Sequence, residues 1–355
     1  MQLALVGLPA AGVKTVFNAI TSWADSAAPQ STSGGQNRIA VVKVPDPRLD
    51  RISSAFSPRK TTPGTVELIE SPGLFGDKIE ARSLARVREA DALVVVLRVF
   101  ENLSVPHLDE TIDPARDLDR ILSEMLLSDL AIVENRLERL KVSLQKRKSD
   151  EELLERDILL RCLKLLNQDQ RLSELDLPPT QEKVLRGFGF LTQKEMLVLL
   201  NIGDNQIGQE EELSAGLGID YEKCTCTLCA DIEAELATME AEEREEFMRE
   251  LAIQELAAPQ VLRAAYRLLK IVTFFTYGED ECRAWQVRQG QTAVDAAGQI
   301  HSDLARGFIR AEVVSFPDFD RLGGIKEAKA AGRFRLEGKE YPVVDGDMII
   351  IRHSS

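Results

Sequence analysis

The sequence predicts an α/β fold built on a parallel sheet with helices on both faces. Three observations point there. Short apolar runs alternate with turn chemistry through the first hundred residues. The run "LALVG" leads straight into a glycine-containing loop, "GLPAAGVKT". The segment "ALVVVLRVF" is apolar almost throughout, as a strand covered on both sides must be.

Taken in order, "TVFNAITSW" after the loop reads as a helix, "NRIAVVKV" and "TVELIES" as strands, and "ARSLARVREA" as a helix feeding "ALVVVLRVF". Between Asp113 and about Pro179 the period changes. Leu118, Ile121, Leu122, Met125, Leu126, Leu130, Val133, Leu137 and Leu140 recur at three- and four-residue steps. A polar break at "RKSDEE" follows, then a second helix from about Glu151 to Asn167. This predicts an antiparallel, coiled-coil-like helical pair that interrupts the sheet. "EMLVLLNIGDN" resumes the sheet, "KCTCTLCADIEAEL" adds a strand entering a helix, and "EAEEREEFMREL" reads as a solvated helix. From about Ile271, "TFFTYGEDECRAWQVRQGQTA" reads as a hairpin, and "FRLEGKEYPVVDGDMIIIRHSS" adds short strands. The expected domains are 1-112 with 190-270, an inserted 113-189, and a small mixed β domain at 271-355.

A chain of 355 residues has length for two or three domains. It has no long uncharged apolar run and opens directly on a strand-like segment, so a cytoplasmic location and no membrane contact are expected. The net charge of -14 opposes casual binding to DNA or anionic lipid. The five cysteines fit reduced thiols. In "CTCTLC", Cys224, Cys226 and Cys229 lack a fourth ligand and a nearby histidine, and they read as strand cysteines rather than a zinc site.

The ordered set "GLPxxG…TxFNAI", "VPDPRLD", "FEN…H", "IEAEL", "AAYxLL…TFFTxGExExRAW", "AAGxIHxDxxRGFIRAEV" and "RLEGKxYxVxDGD" resembles the YchF-type, Obg-like P-loop GTPases and ATPases along nearly the whole chain. The resemblance implies a P-loop NTPase-like sheet domain, an inserted helical coiled coil and a C-terminal TGS (ubiquitin-like β-grasp) domain. It also implies ribosome binding and slow hydrolysis of ATP or GTP.

A working phosphate loop reads G-x-x-x-x-G-K-[ST]. Backbone N–H groups cradle the phosphates, the lysine spans the outer two, and the hydroxyl holds Mg²⁺. Gly7 and Gly12 keep the spacing around Ala10 and Ala11. Counted back from Phe17-Asn18-Ala19 without insertion, Val13 stands in the lysine's place and Lys14 in the hydroxyl's. The other register uses Lys14-Thr15 as the lysine–hydroxyl pair, with one extra loop residue. In the first register a fixed cation stands at the metal's seat, so weak Mg²⁺ binding is expected.

The family's D-x-x-G, whose carboxylate supports Mg²⁺, is here Glu70-Ser71-Pro72-Gly73. The first-switch threonine position falls on Gly34, with Thr32 close by, and the loop after Gly73 is short. On the base side, Asn201-Ile202-Gly203-Asp204 matches an N-x-x-acid element. Asp204 leans to guanine, and the missing lysine leans away from it. Cys229-Ala230-Asp231 matches the later loop in part. His107 stands where the family carries a histidine implied to assist hydrolysis, or else is an ordinary loop residue beside Pro106. Leu74 matches the family's hydrophobic replacement of the water-orienting glutamine. His301, with Arg306, Arg310 and Lys326, offers either a contact surface or local salt bridges.

The expected function is purine-nucleotide binding (GTP or ATP) with weak or lost hydrolysis. The ribosome or its RNA is the expected partner of the TGS domain and coiled coil. The alternative is a pseudo-GTPase scaffold acting without nucleotide, so enzymatic turnover stays open. No Ser-His-Asp or H-E-x-x-H pattern supports another active site.

Overall fold

The computed structural model describes residues 1–22, 30–31, 38–71, 81–102, 104–107, 109, 111–147, 149–215, 225–251, 253 and 255–354. From the N-terminus come β1 (Gln2–Gly7), α1 (Val13–Ser22), β2 (Gln30–Ser31), β3 (Arg38–Val44), α2 (Pro47–Phe56), β4 (Lys60–Thr62), β5 (Gly64–Glu70), α3 (Ala81–Glu89) and β6 (Ala92–Arg98). Two long helices follow, α4 (Pro114–Lys146) and α5 (Asp150–Leu166). The chain returns through α6 (Pro179–Arg186) to β7 (Glu195–Asn201) and β8 (Thr225–Leu228). It then forms β9 (Ile271–Thr276), β10 (Glu281–Arg288), β11 (Phe308–Ser315), β12 (Arg335–Glu337) and β13 (Asp347–His353), with further helices between strands. Two compact units result, Met1–Val41 with Glu67–Val261, and Val42–Val66 with Leu262–Ser355.

In the first unit, a sheet of order β2-β3-β5-β1-β6-β7-β8 is parallel from β5 to β8. Its far edge turns antiparallel at β2–β3, a common way to end an otherwise parallel sheet. Every residue of β6 is buried, as its apolar run requires. One side of the core joins Val6, Val95 and Leu200 of the strands to Ile121 and Met125 of α4.

The expected helical pair is present. Pro114 opens α4 behind the cap of Asp113, whose Oδ1 accepts from Arg116 N–H at 3.1 Å. Arg136 pairs with Glu155 at 2.7 Å, and Ser143 donates to Glu152 at 2.9 Å, so the helices run antiparallel. Val133 and Leu140 pack on Ile158, Leu159, Cys162 and Leu166. Burial pushes the Cys162 thiol from 9.0 up to about 11. The buried, neutral thiol is expected to resist alkylation at pH 8 until the pair opens, with labelling followed by mass spectrometry. Labelling at the rate of a small thiol would contradict this packing. Because the folded state holds that proton more tightly, this group's contribution to stability falls as pH rises from 9.0 to about 11.

The second unit holds a six-stranded sheet, β12-β11-β13-β9-β10-β4. On one face Phe274, Val287, Ala311 and Ile349 meet Ala293 and Ala297 of a short helix. On the other, Phe275, Ala284, Val314 and Met348 meet Leu49 and Ile52 of α2, together with Phe319. Residues 42–66 thus pack with the C-terminal strands, although the expected range 1-112 grouped them with the first sheet. The reason is burial: α2 carries an apolar face, and this sheet supplies its partner. No helix among the described residues is long and apolar enough to cross a membrane.

Candidate functional site

β1 ends at Gly7 inside a packed wall. A Cβ there would lie 2.7 Å from the Val96 carbonyl oxygen and 2.9 Å from Cγ2 of Val13, so only glycine fits. The loop then turns, with the Ala11 N–H on the Leu8 carbonyl at 3.1 Å, Ala10 at φ 66° and Gly12 at φ 87°. Gly12 adopts this left-handed backbone freely, whereas Ala10 holds about 1–2 kcal/mol of strain. Val16 N–H to the Gly12 carbonyl (2.9 Å) starts α1. The first-turn N–H groups of a helix have no partner within it and carry the positive end of its dipole, which favours an anion at the loop. Val13, 5 % exposed, packs toward Gly7, while Lys14 is exposed and Thr15 half-buried.

Asn201, at the end of β7 and 3 % exposed, ties the loop to the base-side segment. Its Nδ2 donates to the Ala11 carbonyl and its Oδ1 accepts from Ala230 N–H, both at 3.2 Å. Ile202 is buried and donates its N–H to Leu228 at 2.9 Å. Cys229 and Ala230 are buried at the start of the helix Ala230–Leu236, and burial raises the Cys229 thiol pKa. Asp204 lies exposed, its Oδ1 taken by Asn205 N–H at 2.8 Å. The Phe100 ring approaches Gly12, and its Cβ lies beside Gly203. The guanidinium of Arg98 holds that ring from 4.6 Å and donates to the carbonyls of Phe100 (3.2 Å) and Val105 (2.8 Å).

The structure brings Gly7, Ala11, Gly12, Val13, Asn201 and Ala230 together. His107 sits in a polar cluster of its own. Its Nδ1 accepts from Asp109 N–H at 3.2 Å, so Nε2 carries the proton shared with Asp117 at 2.9 Å. Asp117 also accepts from Arg116 at 3.0 Å. His301 caps the short helix Ser302–Arg306 by accepting Asp303 N–H at 3.2 Å, and Arg306 pairs with Asp303. Gly73, Leu74, Thr32, Gly34 and Cys224 lie outside the described residues.

The YchF-GTPase_C family model, described as a protein of unknown function (DUF933), matches residues 271–354. The ribosome-binding ATPase YchF of Bacillus subtilis (strain 168) is 35 % identical over 362 residues, covering 98 % of each chain. Its counterpart of the same name in Escherichia coli O157:H7 is 36 % identical over 356 residues, covering 97 % of each. The chain belongs to the YchF family. The Schizosaccharomyces pombe YchF GTPase superposes with a TM-score of 0.83 at 26 % identity, covering 99 % of this chain and 97 % of that one. A GTP-binding protein from Pyrococcus horikoshii OT3 shares the fold with a TM-score of 0.60 at 15 % identity, covering 100 % of both chains.

Within this YchF chain, the described residues at the phosphate loop offer a Mg²⁺ ion one neutral oxygen, the half-buried Thr15 hydroxyl, and no free carboxylate. Glu70, which closes β5 where the family resemblance expects a metal-supporting carboxylate, is 2 % exposed and ion-paired with Arg38, the first residue of β3. Mg²⁺ needs an ordered shell of oxygens. Here Val13 offers none, Lys14 carries a positive charge, and the Glu70 carboxylate already holds a guanidinium. Sequence reasoning missed two residues. Phe100 was inside the quoted "FEN" motif and so was available to it. Nothing in "NRIAVV" marks Arg38, which finds its partner 32 residues away.

Proposed function

We propose that this chain binds a purine nucleoside triphosphate, GTP or ATP, at Gly7–Thr15, with little help from Mg²⁺ and with slow or absent hydrolysis. One observation carries the reading. The turn between Gly7 and α1 is kept, and Asn201 fastens it to Ala230, while Val13 is buried where a phosphate-spanning lysine would reach out. Gly7, Ala10, Ala11, Gly12, Thr15 and Gly73 serve the phosphates. Asn201, Ile202, Asp204, Cys229 and Ala230 serve the base. Glu70, paired with Arg38, supports no metal. Any residual hydrolysis requires His107 to leave Asp117. The relatives named ribosome-binding ATPase support a role on the ribosome; our reading puts it in the cytoplasm, with the helical pair and the C-terminal domain as the contact surfaces.

Titration with fluorescent GTP and ATP analogues, in EDTA and in Mg²⁺, tests this. Binding is expected in both, differing by no more than about threefold (under about 1 kcal/mol), since a site that makes no ion contact loses none when the ion is chelated. Strongly Mg²⁺-dependent binding with steady phosphate release would refute it. Absence of any binding would leave the nucleotide-free scaffold. Co-sedimentation with ribosomes, loaded and unloaded, tests the partner.

A further inference from the structure

Glu70 and Arg38 form a built device rather than a chance ion pair. Glu70 lies beside Leu5 in the parallel register of β5 with β1, and Ser71 N–H donates to the Leu5 carbonyl at 3.0 Å. That strand end sits just before Gly7, so the pair stands at the loop's end of the sheet. Arg38 Cζ lies 4.7 Å above the ring of Phe17, one helical turn beyond Val13. The aromatic face and the buried carboxylate hold the guanidinium from two directions. Only Nε is engaged by Glu70. Nη2 is buried and has no hydrogen-bond partner among the described residues. A buried N–H left unpaired is costly, and a charged one more so, which marks a place for an acceptor that the described residues do not provide.

We infer that Arg38 is the resident cation of this phosphate site, offering Nη2 to a triphosphate oxygen in place of a metal ion. The inference rests on the nucleotide-binding reading above and deepens it. A guanidinium is always charged and presents its donors in a rigid fork matched to phosphate oxygens. Glu70 therefore acts as a positioning residue for Arg38 and not as a ligand for Mg²⁺.

The test is titration of fluorescent GTP and ATP analogues in EDTA against the full chain and three variants. Arg38→Gln with Glu70→Gln removes both charges and strands neither, so its fold is expected to survive, and circular dichroism checks it. Its triphosphate affinity should fall by about tenfold or more, the value of a charge-assisted bond. Glu70→Gln alone keeps Arg38 and leaves an amide oxygen to accept from its Nε, so the guanidinium stays placed and affinity should be retained within about threefold. Arg38→Gln alone frees Glu70 and should make the remaining binding respond to Mg²⁺. A double variant that binds as tightly as the parent overturns the inference, as does a Glu70→Gln variant that loses as much as the double. In either case the nucleotide-binding reading stands, because the parent binds. If the parent binds neither analogue, that reading falls and takes the inference with it.

Discussion

Asp129→Ala is expected to lower the stability of the first unit by about 3–5 kcal/mol, the range for stranding one partner of a buried ion pair. Asp129 is fully buried. Its Oδ1 accepts from Leu191 N–H at 3.1 Å and from Arg88 at 2.8 Å, and its Oδ2 accepts from the N–H and hydroxyl of Thr192, both at 2.8 Å. Arg88 also donates to the Gly189 carbonyl at 3.0 Å and to the Ser128 hydroxyl at 2.7 Å. One carboxylate thus joins α3, α4 and the segment entering β7, which docks the helical pair on the sheet. Alanine leaves a guanidinium and three further donors without their acceptor. Against a total of roughly 5–15 kcal/mol, that loss is a large fraction. Urea denaturation followed by circular dichroism measures it. A loss under about 1 kcal/mol would mean that water replaces the carboxylate and that the network is not dry.

The second large effect is expected at Gly12→Ala. The backbone there has φ 87°, and an added Cβ would lie 2.3 Å from Nδ2 of Asn201. Asn201 would have to swing away, releasing both Ala11 and Ala230, so the loop and the base-side segment would lose their common tether. Strain of about 1–2 kcal/mol and two lost hydrogen bonds of about 1 kcal/mol each predict a fall of roughly thirtyfold or more in nucleotide affinity. Gly290→Ala is the control. Its φ is also 87°, yet nothing lies within 4 Å, so it carries the backbone strain without touching the loop. Calorimetric titration is expected to find Gly290→Ala, in the second unit, binding like the parent and Gly12→Ala weakened. Equal affinities in the two variants would remove both the loop strain and the tether from the account.

Local chemistry made most of the architecture legible. The apolar run of β6, the three- and four-residue steps of α4 and the polar break before α5 each report which face of an element avoids water. That information is carried by a few neighbouring residues. The glycine spacing of the loop was legible for the same reason, since a turn's backbone angles depend on adjacent positions. His107 shows the limit. Its neighbours on the chain did not reveal that both ring nitrogens are committed, to Asp109 and Asp117.

By itself, the sequence determined the periodicity of each element, the interruption of the sheet by a helical pair, and the substitution of Val13 and Lys14 in the loop. Only the tertiary structure decided that residues 42–66 join the C-terminal strands, that Asn201 locks the loop across 190 residues, and that Arg38 neutralises Glu70. The physical reason is range. Apolar spacing is a property of one helix or strand, whereas a buried charge or amide takes whichever partner the packed neighbours bring within about 3 Å, and that choice is made only on folding.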